Sequence, residues 1–280
     1  MAVKFVIDSA ADVLPAEAQA LGVAHLPLTV TFGTETFEDA VNLSHAQFYE
    51  KLVASADLPT TSQVPPAVFG ECFEKLTANG DEVVAITMSS RLSGTYQSAM
   101  IAADDFDGKV FVVDSLNATI GERILLMRGL ELAQAGKSAA EIAAQLDEEK
   151  TRIRLIAIID TLEYLKKGGR ISAAVAFAGG MLAIKPAIEV KDGLVVTAGT
   201  ARGVKKCNAL LKESIEKYGG VNYDMPAAMV YASSREPLDQ FVAACPELWQ
   251  GNPAPVGCSL GCTIGTHIGP GAYGIAFFEK

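Results

Sequence analysis

The stretch Thr87-Met88-Ser89-Ser90-Arg91-Leu92-Ser93-Gly94-Thr95-Tyr96-Gln97-Ser98-Ala99 decides how this chain is read. An apolar run over 83–86 leads into it like a buried strand, and a helix-compatible run over 96–103 leaves it. Between them lie Ser89, Ser90, Ser93, Gly94 and Thr95. A helix that starts here aims unpaired backbone N–H groups, and the positive end of its dipole, at whatever stands in front of it. Ser93 and Thr95 add hydroxyl donors, and Gly94 admits a ligand close to the backbone. The segment reads as a seat for a carboxylate or phosphate; the plainer reading is a well-capped helix.

Working outward, the pattern predicts strands over 3–7, 26–32, 83–87 and 110–113. Helices are predicted over 15–21, 44–54, 66–78, 119–135 and 138–150, with capping boxes at Ser44/Gln47 and Ser138/Glu141. Such alternation implies an α/β fold with a parallel sheet and right-handed crossovers. Ligands of such sheets bind beyond the carboxyl ends of the strands. Asp8-Ser9, the Ser89–Thr95 segment and Asp114-Ser115 all fall at such ends. Thr60-Thr61-Ser62, before Pro65-Pro66, reads as a second hydroxyl-rich helix start.

A second half begins near residue 151, giving an expected division into 1–150 and 151–280, the latter mixed α/β. Its predicted strands are 155–159, 187–190, 194–197, 227–232, 256–264 and 273–278. Its predicted helices are 162–167, a small-residue apolar segment over 173–184, 202–218 and 237–244.

Composition limits the function. The 280 residues carry a net charge of −10, which disfavours a broad nucleic-acid surface. The longest apolar stretch, 173–184, is too short to span a bilayer, and the N-terminus lacks a signal-peptide pattern. Five scattered cysteines do not form a disulfide framework, so a reducing cytoplasm is the expected location.

Four motifs compete for chemistry. Gly257-Cys258-Ser259-Leu260-Gly261 matches a nucleophile elbow, but no helix is predicted after Ser259 and no acid lies between it and His267. A stand-alone hydrolase or phosphotransferase is therefore only the alternative reading. Gly269–Gly274 matches G-x-G-x-x-G but precedes a strand, so it is set aside as a dinucleotide site. Cys258, Cys262 and His267 lack a fourth ligand with proper spacing, so no metal or cofactor is expected. His267 itself sits in a glycine-rich loop, either bonding its own loop or reaching into a site as a donor to an anion. The basic clusters Lys166-Lys167…Arg170 and Arg202…Lys205-Lys206 read as solvated faces, or as docking points for an acidic partner or a phosphate.

Taken together, these blocks resemble the DegV family, the bacterial fatty-acid-binding proteins of the FakB type. The resemblance rests on Asp8-Ser9 with Asp12, Thr61-Ser62-Gln63, Ser89–Tyr96 and Asp114-Ser115. It continues through Leu162–Ser172, Ile184-Lys185-Pro186, Arg202-Gly203, Lys205-Lys206 and Thr266–Gly271, covering 3–279. One departure is Val64, which stands where the family often has Pro directly after the Gln. The resemblance implies a two-domain α/β fold with one long-chain fatty acid between the domains. It implies that the carboxylate is held around Thr61 and Ser93, with Ser62, Gly94, Thr95 and His267 close by. Arg202 and Arg170 are implied as partner or phosphate contacts. It further implies a non-catalytic subunit that presents the acid to an ATP-dependent kinase, which makes an acyl phosphate for phospholipid synthesis. The 173–184 segment is then expected as one wall of the acyl tunnel.

Overall fold

The computed structural model describes residues 2–171 and 184–280. The chain runs through β1 (Val3–Asp8), α1 (Pro15–Leu21), β2 (Val23–Leu26), β3 (Thr29–Phe32), β4 (Glu35–Glu38), α2 (His45–Ala54), β5 (Thr60–Ser62) and α3 (Pro66–Thr77). It continues with β6 (Glu82–Thr87), α4 (Thr95–Ala103), β7 (Val110–Asp114), α5 (Ile120–Gln134) and α6 (Ala139–Glu149). Beyond residue 150 come β8 (Ile153–Ile158), α7 (Glu163–Lys167), β9 (Ile184–Lys191), β10 (Leu194–Arg202) and α8 (Val204–Lys217). The last elements are β11 (Ala227–Tyr231), α9 (Glu236–Ala244), β12 (Gly257–Ser259), α10 (Cys262–Ile268) and β13 (Tyr273–Phe278). The predicted 173–184 segment falls, up to 183, outside the described residues.

Two large sheets organise these elements. One is parallel throughout, in the order β2-β1-β6-β7. Val83, Val84, Ala85 and Ile86 are all fully buried, as a strand covered on both faces requires. The other sheet is mixed, in the order β10-β9-β8-β13-β11-β12, with β12 parallel to β11 and the other pairs antiparallel. Side chains of alternate residues on a strand point to opposite faces, and the core divides accordingly. Ile153, Leu155 and Ala157 of β8 join the apolar core shared with the parallel sheet. Ile156 and Ile158 face a second cluster with Leu211 of α8 and Phe241 of α9. Helix α5 packs against strands of both sheets, which explains its burial on several sides at Ile120, Ile124, Leu125 and Leu126.

Three local expectations are corrected. The strand predicted over 26–32 is two strands, because Pro27 has no N–H for a ladder; β3 instead pairs with β4 and β5 in a small antiparallel sheet. Thr60–Ser62 is strand β5, not a helix start, and α3 begins at Pro66 behind the fully buried Val64. The strand predicted over 256–264 stops at Ser259, and α10 follows it.

That last helix is held from far away. Asp12 Oδ1 accepts from the Gly261 N–H at 2.8 Å, and Asp39 accepts from the Cys262 and Thr263 N–H groups at 2.9 Å each. Two acidic side chains from the first half thus satisfy three of the donors that the start of this seven-residue helix leaves open. Asp12 also accepts from the Thr119 hydroxyl, tying the start of α5 to the same point. Asp8 accepts from Ala10 N and Met88 N, both at 2.9 Å.

Burial raises the Asp8 carboxyl to about 7 and that of Asp12 to about 8, outweighing the hydrogen bonds each accepts. The folded state therefore keeps protons that the unfolded chain loses near pH 4, and this stability disappears as pH rises through those values. Burial holds the three histidines below their ordinary range, which works in the opposite sense only below about pH 6.5. The unfolding free energy from urea titration is therefore expected to fall between about pH 6.5 and pH 8, by on the order of 2 kcal/mol. Asp12→Asn, which imitates the protonated acid, should make that fall shallower in the same denaturation series.

Candidate functional site

A cavity of about 370 Å³ lies between the two large sheets. Its walls are apolar over most of their area, with Leu28 and Met88 from the first half facing Leu155, Ile188, Val190 and Val230 from the mixed sheet. These β8 and β9 residues belong to one face of their strands, so strand parity alone could have found them. One end of the cavity is polar. Thr61, Ser62 and Gln63 come from β5 and its exit, Ser93 and Gly94 from the loop before α4, Arg170 from the turn after α7, and His267 from α10.

The residues at this end are held by separate hydrogen bonds. Thr61 Oγ1 lies 3.1 Å from His267 Nε2. Ser93 Oγ lies 3.0 Å from Thr95 Oγ1 and accepts from the Thr95 N–H at 3.3 Å. Thr95 is fully buried and does not line the cavity; it reaches the site only through Ser93. Gln63 crosses over Gly94 and donates to Ser98 Oγ at 2.7 Å. A Cβ on Gly94 would fall 2.1 Å from Gln63 Oε1, so glycine is what lets the two segments meet.

Burial, reinforced by the charge of Arg170, lowers the His267 imidazole to about 4. The ring is neutral at pH 7 and can donate from only one nitrogen. His267 occupies the last turn of α10 rather than a loop, and its Nδ1 abuts Gly168, where a Cβ would lie only 2.1 Å away. Arg170 is directed at backbone, donating to Leu92 O at 3.2 Å and Gly168 O at 2.7 Å. Arg202 is exposed at the end of β10 and is not in the cavity wall.

The hairpin of β9 and β10 closes one side of the site. Asp192 and Gly193 take positive φ values of 50° and 78°, as a two-residue turn between twisted strands demands. Ser89 donates to Gly193 O at 2.8 Å, docking this turn on the loop before α4.

The G-x-S-x-G segment has a context the sequence did not reveal. A helix does follow Ser259, and Ser259 Oγ lies 2.7 Å from His45 Nδ1. The other nitrogen of that ring stays 3.9 Å from Asp39, too far for a hydrogen bond, and Ser259 does not line the cavity. Gly269–Gly274 forms the link from α10 into β13, as a strand approach and not a dinucleotide loop. No helix among the described residues is long and apolar enough to cross a membrane.

The crowding at Gly94 makes a direct expectation. Gly94→Ala should displace Gln63 and break its bond to Ser98, lowering stability by about 1 kcal/mol in a urea titration. Adding Gly94→Ala to Gln63→Ala should cost little more than Gln63→Ala alone, because the clashing group is then gone.

Comparison with known proteins places this architecture. A family model described as an uncharacterised protein of the DegV family matches residues 2–280. A DegV domain-containing protein of Deinococcus radiodurans is 35% identical over 277 residues, covering 99% of this chain and 98% of that one. A DegV family protein from Thermus thermophilus, its structure described for fatty acid binding, aligns with a TM-score of 0.90 and 31% identity over the whole of both chains. A fatty acid (stearic acid)-binding protein of Eubacterium ventriosum aligns with a TM-score of 0.89 and 26% identity, covering 100% of this chain and 99% of that one. With the family match running along nearly every residue and the fold reproduced over its full length, this chain belongs to the DegV family.

Proposed function

We propose that the protein binds one long-chain fatty acid, its tail in the cavity between the sheets and its carboxylate at the end formed by Thr61, Ser93 and His267. The observation that carries this reading is the polarity of the cavity: apolar along its walls, hydroxylated and uncharged by histidine at one end. Relatives of similar fold described as fatty-acid-binding proteins support it. Each methylene removed from water contributes about 0.8 kcal/mol, so a long chain brings on the order of 10 kcal/mol before the losses of association. The head group then needs donors, since a carboxylate taken from water without them is strongly disfavoured.

In this reading the neutral His267 donates from Nε2 to Thr61 and turns the Thr61 hydroxyl proton toward the ligand. Thr95 and its bond to Ser93 orient the second hydroxyl in the same way. Ser62 and the Gly94 backbone complete the seat. A seat without a fixed charge at its centre suits a head group that must later be modified and released. We further read the protein as a non-catalytic subunit that presents the carboxylate to an ATP-dependent kinase, which forms an acyl phosphate for phospholipid synthesis. Arg170 beside the seat and exposed Arg202 are its contacts for that partner or for phosphate, and the setting is the cytoplasm. The halves 1–150 and 151–280 act as two domains closing on the lipid.

Mass spectrometry of lipid released from denatured protein should give about one long-chain fatty acid per chain. Ser93→Ala and Thr61→Ala should each lower that occupancy several-fold with the fold retained, and a double variant that keeps full occupancy would refute the assigned seat. Purified protein with ATP and fatty acid alone should yield no acyl phosphate; turnover without a partner would refute the presenting role.

A further inference from the structure

A second constellation lies outside the cavity. Asp39, His45 and Cys262 are all buried, and their ligand atoms lie within 4.8 Å of one another. Among the described residues this is the one group of three acidic, histidine or cysteine side chains that meets so closely. None of the three lines the fatty acid cavity. Cys258 and His267, weighed with Cys262 in the sequence as metal ligands, do not join it.

The geometry around His45 is unusual for side chains that merely pack. Ser259 engages Nδ1 at 2.7 Å and fixes the ring. Nε2 then faces Asp39 Oδ1 across 3.9 Å, a gap too wide for a hydrogen bond. Zinc–nitrogen and zinc–oxygen bonds are each about 2.0–2.2 Å, so one ion bridges such a gap with a small contraction. Burial keeps the ring neutral, as a metal ligand must be. Asp39 is held by the N–H groups of Cys262 and Thr263, so both the imidazole and the carboxylate have the supporting bonds that orient ligands.

Gly261 lets these side chains approach the backbone closely. A Cβ there would lie 2.8 Å from Asp12 Oδ1, 3.3 Å from His45 Nε2 and 3.4 Å from Asp39 Oδ1. Asp12 Oδ1, His45 Nε2 and Asp39 Oδ1 therefore converge closely against the Gly261 backbone, next to Cys262. Two buried acids, Asp12 and Asp39, border it, and a divalent cation would stabilise their ionised forms. A thiolate, an imidazole and a carboxylate together favour zinc over calcium or magnesium, which take oxygen ligands.

We propose that Asp39, His45 Nε2 and Cys262 Sγ bind a zinc ion, with water or Asp12 in the fourth position. On binding, the Cys262 thiol loses its proton to solvent and a sulfur–zinc bond forms, so affinity rises with pH. The ion would join the segment from β4 to α2 to the first turn of α10, the helix whose other end carries His267.

The test uses the full chain, stripped with chelator, loaded with zinc chloride and passed through gel filtration. About one zinc per chain and a raised melting temperature are expected. Cobalt(II) in place of zinc should give the intense near-ultraviolet band of a thiolate–cobalt bond. Cys262→Ser should abolish that band, and His45→Gln should lower retained metal at least tenfold, while Cys72→Ser leaves both unchanged. Wild-type protein that retains no zinc and shows no cobalt band would overturn the site, as would full retention by both ligand variants. Should a variant fail to fold by circular dichroism, protection of Cys262 from alkylation by zinc in the wild type decides, and equal labelling with and without zinc overturns it. Fatty acid occupancy is read separately, so either proposal can fail alone.

Discussion

The capping of α10 by Asp12 and Asp39 is the interaction on which the rest of this structure depends. A helix of seven residues has little stability of its own, because forming its first turn fixes several residues for one hydrogen bond. Here its first donors are met by carboxylates 249 and 223 residues away in the sequence. Those carboxylates lie in the first half, beside the ends of β1 and β4. The same bonds that secure the helix therefore join the parallel sheet to the segment between β12 and β13. His267, at the opposite end of the helix, meets Thr61 only because this joint sets the helix's position.

The apolar and polar parts of the molecule are divided with economy. One face of β8 and β13 supplies residues such as Leu155 and Ala276 to the core shared with the first half; the other supplies Ile156 and Phe277 to the layer under α8 and α9. The mixed sheet is thus a partition with a solid side and a side that opens into a cavity. The solid side includes Phe241 packed edge-on to Trp249, with ring centroids 6.0 Å apart. Rigid packing there lets the opposite face leave space without collapse, since well-packed interiors resist deformation.

Much of this was legible in the sequence, and the exceptions share a cause. The alternation of strands and helices and both capping boxes follow from local chemistry, and the structure bears them out. Ser93 and Gly94, which line the cavity, stand out in the same way, because a strand that ends in small hydroxylated residues before a helix is a local signal. The helix after Ser259 is hidden in the sequence because distant carboxylates cap it, while its own N-cap residue, Gly261, offers no side chain to mark the start. Thr61 was found as a residue but assigned to the wrong element, since the partner that makes Thr60–Ser62 a strand is β3, some thirty residues earlier. The grouping of Asp39, His45 and Cys262 was invisible for the same reason: only the folded chain brings residues of the first fifty beside residue 262.

The position of β13 has a consequence for how such a protein is made. Although it follows every other strand in the chain, it lies in the interior of its sheet, between β8 and β11. On the ribosome, β8 and β11 emerge with an empty lane between them, and no neighbour can complete the hydrogen bonding until Phe278 has left the exit tunnel. Chains that form through such distant pairings organise slowly and expose unpaired edges while they wait. Until then the facing edges of β8 and β11 stay unpaired, a burden that the parallel half, whose strands are all complete by Asp114, does not carry.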